Sequence, residues 1–258
     1  MRQFVDVMRG LVVVGVVAAQ AAAAEWGTLS GQFIYDGQAA APAKLVVDKD
    51  LECCGKYLDE IVDETITVGP EGGLANVYVY LRSPKGKKVA SHPDLEAAAA
   101  STPVVLDNMH CRFQQHAIAV WGGKQTLVAK NGDPIGHAVA VALTKNAPVN
   151  SLLPAGQSLE LKFQEGEPLP AQITCGPHPW EKAWVKVHDS PYIAVTDRSG
   201  KFTIPNLPVG DWEFQVWHEK SGYLAAKPEW SKGRVKLAIK AGDNDFGVIK
   251  VSPDLLTK

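Results

Sequence analysis

Residues 173–184 read ITCGPHPWEKAW and set Cys175 and His178 three positions apart, with Gly176 and Pro177 between them. A tight Gly-Pro turn aims a thiolate and an imidazole at one point, and that donor pair suits copper or zinc. Two ligands do not hold a metal, and the same residues also read as a structural cysteine beside a surface histidine. A third donor lies upstream. Residues 130–139 read KNGDPIGHAV and place His137 just after a polar turn, at the head of an apolar run. His137 precedes Cys175 by 38 positions, with two strand-like patterns between them.

These side chains need a scaffold, and the chain is written in short strands. Apolar runs, alternating or continuous, fall at 29–35, 76–81, 104–106, 117–120, 126–129, 138–143, 159–163, 183–187 and 192–196. Four more, at 201–204, 212–217, 234–239 and 246–251, follow in a turn-rich meander. Only residues 94–100 (DLEAAAA) read as helix. Strands this brief, spaced this regularly, predict an all-β sandwich or barrel. The cysteine and histidine clusters end near residue 190 and the meander begins there, so a domain boundary is expected at that point. Of the other histidines, His92 reads as a loop residue and His188 as the end of a strand.

Arg2 and Arg9 flank the start of an apolar stretch that runs from Leu11 to Ala19. It is shorter than the roughly 20 residues a membrane-spanning helix needs. Ala22 and Ala24 form an A-x-A site before Glu25. Residues 1–24 therefore read as a cleavable secretory signal, which predicts a periplasmic or secreted protein. No later stretch is apolar and long enough to cross a membrane, so no membrane insertion is expected after cleavage. The 26 basic and 28 acidic residues nearly balance, and no basic stripe stands out, which argues against a nucleic-acid partner. Four cysteines are too few for a disulfide-dominated scaffold. The chain has no G-x-S-x-G, no H-E-x-x-H, no phosphate loop and no dinucleotide fingerprint, so nothing positive points to an enzyme.

The pair of patterns N-x-D-P-x-x-H and C-x-x-H-P-W resembles the cupredoxin arrangement. There, one histidine arrives from an upstream strand, and a loop joining the last two strands brings the cysteine and a second histidine. The ordered series GGLANVYVYL, CRFQQHAIAV, NGDPIGHAV, TCGPHPWEKAWVKV, SPYIAVTD and WEFQVWHE is similar to bacterial exported cupredoxin-like proteins of the methylamine utilization protein-like group. From about Pro191, the run TDxxGxFxIxxLPxGxWxFxVWH resembles a carboxypeptidase regulatory-like or transthyretin-like module. The implied architecture is a cupredoxin-like Greek-key β-sandwich over 25–190, followed by a small carboxypeptidase regulatory-like β-sandwich segment over 191–258.

The resemblance implies one copper ion with His137, Cys175 and His178 as its equatorial ligands, and single-electron transfer to a partner protein. A two-histidine, one-cysteine set with a weak axial ligand is the arrangement of blue-copper sites. Related sequences carry a methionine shortly after the second histidine; here that position is Glu181. Beyond the signal the remaining methionine is Met109, beside Cys111 rather than in the ligand loop. The axial position falls to the Glu181 carboxylate, to a backbone oxygen, or to nothing. A carboxylate would favour Cu(II) and lower the reduction potential. His116 heads a strand that can pass close to the metal loop in such a fold, so it is a candidate fourth ligand or a group behind the ligands. Cys54 in ECCGK resembles a recurring cysteine of the family, which implies a bridge to Cys111 and leaves Cys53 over. A vicinal Cys53–Cys54 bridge is the alternative. Family members share the WHE at His218, which reads as a hydrogen-bonded junction residue or as a contact to the loop around Trp180.

Two other roles fit the same residues. One is copper storage or delivery. The other is a carbohydrate-binding or adhesion module that presents Trp212, Trp217 and Trp230 and keeps only a vestigial metal site. Alternation of these tryptophans with Phe214 and Val216 favours the core for them.

Overall fold

A computed structural model describes residues 25–83 and 88–257; the expected signal, residues 1–24, lies outside the described residues. The described chain opens with β1 (Trp26–Tyr35), a single helical turn α1 (Leu51–Cys54), β2 (Tyr78–Leu81) and helix α2 (Pro93–Ser101). Nine strands follow: β3 (Val104–Met109), β4 (Arg112–Phe113), β5 (Ala117–Trp121), β6 (Thr126–Asn131), β7 (His137–Val141), β8 (Val149–Leu153), β9 (Ser158–Lys162), β10 (Ala171–Thr174) and β11 (Lys182–His188). Six complete the chain: β12 (Ile193–Val195), β13 (Lys201–Pro208), β14 (Gly210–His218), β15 (Gly222–Tyr223), β16 (Arg234–Ile239) and β17 (Gly242–Val251). The all-β expectation holds. Strands β8 (VNSLL) and β10 (AQIT) escaped the sequence pattern because each mixes polar and apolar residues without a clean alternation.

Strands β3–β11 form one sandwich, with sheet order β5-β11-β10-β7-β8 facing β4-β3-β6-β9. Its core holds Leu106, Phe113, Val120, Leu127, Ile173 and Val185. Strand β7 reads HAVAV and is buried along nearly its whole length, which explains the continuous apolar run after His137. The other strands make a second sandwich: β13-β1-β17 against β12-β2-β14-β15, with β16 paired to β14. Phe33, Leu81, Tyr192, Phe214 and Ile249 fill that core. Removing each such side chain from water stabilises the fold by about 1.5–3 kcal/mol.

The boundary expected near residue 190 does not match the strand pairing. Strand β1 pairs antiparallel with β13 and parallel with β17. Strand β2 lies between β12 and β14. A cut at residue 190 would sever β1 and β2 from every strand they pair with and leave their backbone groups without partners. The β3–β11 sandwich is instead inserted between β2 and β12, and the second sandwich encloses it in sequence. Local apolar patterns mark strands but do not say which strand pairs with which.

The TDRSGK turn shows how the enclosing sandwich closes. Asp197 Oδ1 accepts from Ser199 N and Lys201 N, at 2.8 and 3.0 Å. Gly200 has φ +74°, and a Cβ there would stand 2.0 Å from the Phe33 carbonyl oxygen, so only glycine lets β1 approach. The two sandwiches meet at Tyr78 of β2, whose hydroxyl lies 2.9 Å from the Trp184 carbonyl and 3.1 Å from that of Ile118. Trp217 packs against both Tyr78 and Trp184. Trp217 and Trp230 are buried and Trp212 packs on the enclosing core, as their alternation predicts.

Candidate metal centre

One end of the inserted sandwich gathers four donors. His137 is the first residue of β7, and Cys175, His178 and Glu181 line the loop that joins β10 to β11. These strands are neighbours, β10 pairing with β7 on one side and β11 on the other, so the loop necessarily opens beside His137. Backbone bonds tighten the loop: Glu181 N donates to the His178 carbonyl at 3.0 Å, and Cys175 N to the Glu181 carbonyl at 3.4 Å. His137 Nδ1 or Nε2, Cys175 Sγ, a ring nitrogen of His178 and a Glu181 oxygen all lie within 4.8 Å of one another, and all four residues are buried.

Individual distances define the geometry. His137 Nδ1 and His178 Nδ1 are 3.0 Å apart, and Cys175 Sγ is 3.5 Å from His178 Nδ1. Glu181 Oε1 stands 2.9 Å from His137 Nδ1 and 3.3 Å from His178 Nδ1. Despite that proximity Oε1 makes no directional hydrogen bond and is a buried orphan. Donors tetrahedrally arranged around an ion at about 2.0–2.1 Å would stand roughly 3.3 Å apart, close to these separations.

The far side of each imidazole decides its tautomer. His137 Nε2 faces Asp133 Oδ2 at 3.1 Å, and His178 Nε2 faces Asp50 Oδ2 at 2.8 Å. Ionised carboxylates only accept, so each Nε2 carries the proton and donates. Both Nδ1 lone pairs, when the rings are neutral, then face each other and the Glu181 oxygen. Only a proton or a cation relieves that repulsion. The second Glu181 oxygen accepts from Asn108 Nδ2 at 2.7 Å, and Cys175 Sγ accepts from Ala138 N at 3.2 Å. The ligands are thus oriented from behind, as metal ligands usually are.

The charge balance says the same. Burial opposes a charge on His137, but Asp133, Cys175 and Glu181 together outweigh it and lift its pKa to about 11. Burial likewise opposes the charge on His178, and Cys175 and Asp50 override it in the same direction. Burial would raise the Cys175 thiol, yet His137, His178 and the Ala138 N–H bring it below its ordinary value. Electron-rich donors compete here for too little positive charge. The residues therefore fit a copper ion or another thiolate-binding cation.

Four of the five expected site residues, His137, Cys175, His178 and Glu181, are brought together. His116 is not. Its Nε2 contacts Glu219 Oε1 of the enclosing sandwich, and its Nδ1 lies 3.8 Å from Glu64 Oε2. The physical reason is pairing register: the His116 carbonyl accepts from Trp184 N at 2.7 Å, next to parallel β5–β11 pairing, and the ring turns to the junction between sandwiches. The cystine joins Cys54 and Cys111, with Cα atoms 5.4 Å apart, and Cys53 stays a free, buried thiol. His218 is buried, its Nδ1 accepting from Lys220 N at 3.2 Å. Sequence reasoning missed Asp133, although it stands inside the NGDP turn four positions before His137. It also missed Asn108 and Asp50, which no local pattern ties to the site.

No family model matches the chain, and no curated relative does. Among solved structures the chain is similar to a mutant amicyanin in the Cu(I) state, at 19% identity over 43% of this chain and 98% of that one, with TM-score 0.31. Amicyanin from Paracoccus versutus gives 19% identity, 43% and 97% coverage, and TM-score 0.30. A purple cupredoxin from Nitrosopumilus maritimus gives 19% identity, 33% and 98% coverage, and TM-score 0.27. At such scores the metal centre stands on its own donor geometry.

Proposed function

We propose that this chain is an exported mononuclear copper protein, cupredoxin-like in its inserted sandwich, that passes single electrons to a partner protein. One observation carries the reading: two imidazole Nδ1 atoms, a cysteine sulfur and an orphaned carboxylate oxygen converge in one buried cluster. Copper bound there supplies a one-electron couple. The chain's own part is to exclude water and to fix the donors, with Asp133 and Asp50 locking the rings and Ala138 N–H steadying the sulfur. Fixed donors keep reorganisation between oxidation states small. Glu181, a hard anionic donor, favours Cu(II) and lowers the potential.

Export is supported by the secretory pattern of residues 1–24 and by the Cys54–Cys111 bridge, since disulfides persist in oxidising compartments. Among the described residues no helix is long and apolar enough to cross a membrane. Storage or delivery is the weaker reading, because all four donors are buried and rapid copper exchange needs access. A glycan-binding role loses its main support with Trp217 and Trp230 buried in the cores.

The test is an optical and electron paramagnetic resonance titration with Cu(II), beside Cys175→Ser. The expected result is an intense thiolate-to-copper band that saturates at one copper per chain and is absent from the variant. Absence of both the band and stoichiometric copper in the wild type refutes the proposal.

A further inference from the structure

The metal ligands all lie in the inserted sandwich, yet one carboxylate that orients them does not. Asp50 comes from the connection between β1 and β2, which belongs to the enclosing sandwich, and it reaches His178 across 128 positions of sequence. We infer that Asp50 is a positioning residue of the metal centre, carried to His178 on a strap that the Cys54–Cys111 bridge holds in place. This rests on the copper reading above and names the device that completes the same site.

Three observations separate this role from an ordinary turn residue. Asp50 occupies the position before helical turn α1, where an aspartate normally caps backbone N–H groups. Its side chain makes no cap hydrogen bond and is committed to His178 instead. Its backbone is left-handed, at φ 48° and ψ 41°, a conformation that aspartate adopts more readily than most residues and that sets it outside the helical turn. The turn itself holds it there. Here Cys53 N and Cys54 N both donate to the Asp50 carbonyl, at 2.9 and 2.8 Å. Finally, His178 is fully buried while about half of the Asp50 side chain, 49%, is exposed, so the carboxylate stands between the ring and solvent.

The bridge couples this strap to the other orienting carboxylate. Cys111 N donates to Asp133 Oδ2 at 2.8 Å, and His110 N to Asp133 Oδ1 at 2.9 Å. Trp180, between His178 and Glu181, donates from Nε1 to the Cys111 carbonyl at 3.0 Å. One cystine therefore links the anchors of both imidazoles and the ligand loop itself.

The experiment uses the full chain as wild type, Asp50→Ala, Asp50→Asn and Asp50→Glu. In the metal-free protein, nitrogen-15 NMR of His178 should show the proton on Nε2 in the wild type and a mixture of tautomers in Asp50→Ala. Asp50→Asn keeps an acceptor without the charge and should retain the tautomer. With Cu(II) added, Asp50→Ala should bind about 10–100-fold more weakly. Cu(I) affinity should fall less, so the potential rises by about 59 mV for each tenfold difference. Asp50→Glu should recover part of both effects. A tautomer or a Cu(II) affinity unchanged in a folded Asp50→Ala chain overturns the inference. A wild type that binds no copper sinks the copper reading, while the metal-free tautomer still decides what Asp50 does.

Discussion

Filling the site must evict a proton. His137 holds its proton up to a pKa of about 11, against 6.5 for an unperturbed imidazole, because Asp133, Cys175 and Glu181 outweigh the cost of burying the charge. At pH 7 that proton sits about four pH units below its release point, equivalent to about 5 kcal/mol that a metal must overcome. Each ion that takes Nδ1 therefore releases at least one proton, and apparent affinity should rise about tenfold per pH unit between pH 6 and 8. Calorimetric titration with Zn(II), which is redox-silent, in two buffers of different ionisation heat reads the proton count directly. Asp133→Asn weakens the strongest of the interactions that raise His137 and should reduce both the proton release and the slope. The same proton stabilises the metal-free fold. A folded-state pKa above the unfolded one gives stability that is full below pH 6.5 and is lost as pH climbs towards 11. The metal-free protein should thus weaken with rising pH in a way the loaded protein does not. Binding without proton release, or an affinity flat in pH, would refute the assignment of His137 as a ligand through Nδ1.

Two further outcomes follow from groups outside the metal centre. Burial, with Lys186 adjacent, holds His188 at about 3, and burial holds His218 at about 4 against the pull of Glu219. Both values lie below the unfolded 6.5, so their contribution is full above pH 6.5 and is lost as pH falls; lowering pH from 6.5 to 5.5 should cost about 2 kcal/mol, read from denaturant midpoints of the metal-free chain. Tyr78→Phe removes the hydroxyl that bonds the Trp184 and Ile118 carbonyls across the junction and should cost about 1–3 kcal/mol in the same assay, with the copper band unchanged.

The ligand loop was legible because its information is local. Cys175, His178 and Glu181 lie within seven residues, and the polar turn before His137 announces both a strand start and a donor at a sheet end. The loop's position beside His137 then follows from β7, β10 and β11 being neighbours in one sheet. His116 shows where this logic stops. Its strand does run next to β11, but the pairing register turns the ring towards Glu219 and away from the ligands. A slip of one residue sends a side chain to the opposite face, and register is not written in the apolar pattern of a single strand.

The sequence by itself determined the all-β composition and the spacing of Cys175, His178 and His137, which rest on periodicity and turn chemistry acting over a few residues. That these donors form one ligand set, with Glu181 where related sequences carry a methionine, is what the resemblance to cupredoxin-like proteins implied. Only the tertiary structure decided that β1 and β2 close onto the C-terminal strands and that Asp50 covers His178, and it forms the Cys54–Cys111 bridge that the resemblance implied. Each of these joins groups far apart along the chain. Such pairings are chosen by the simultaneous satisfaction of backbone hydrogen bonds and buried charges in the whole fold, not by any segment alone.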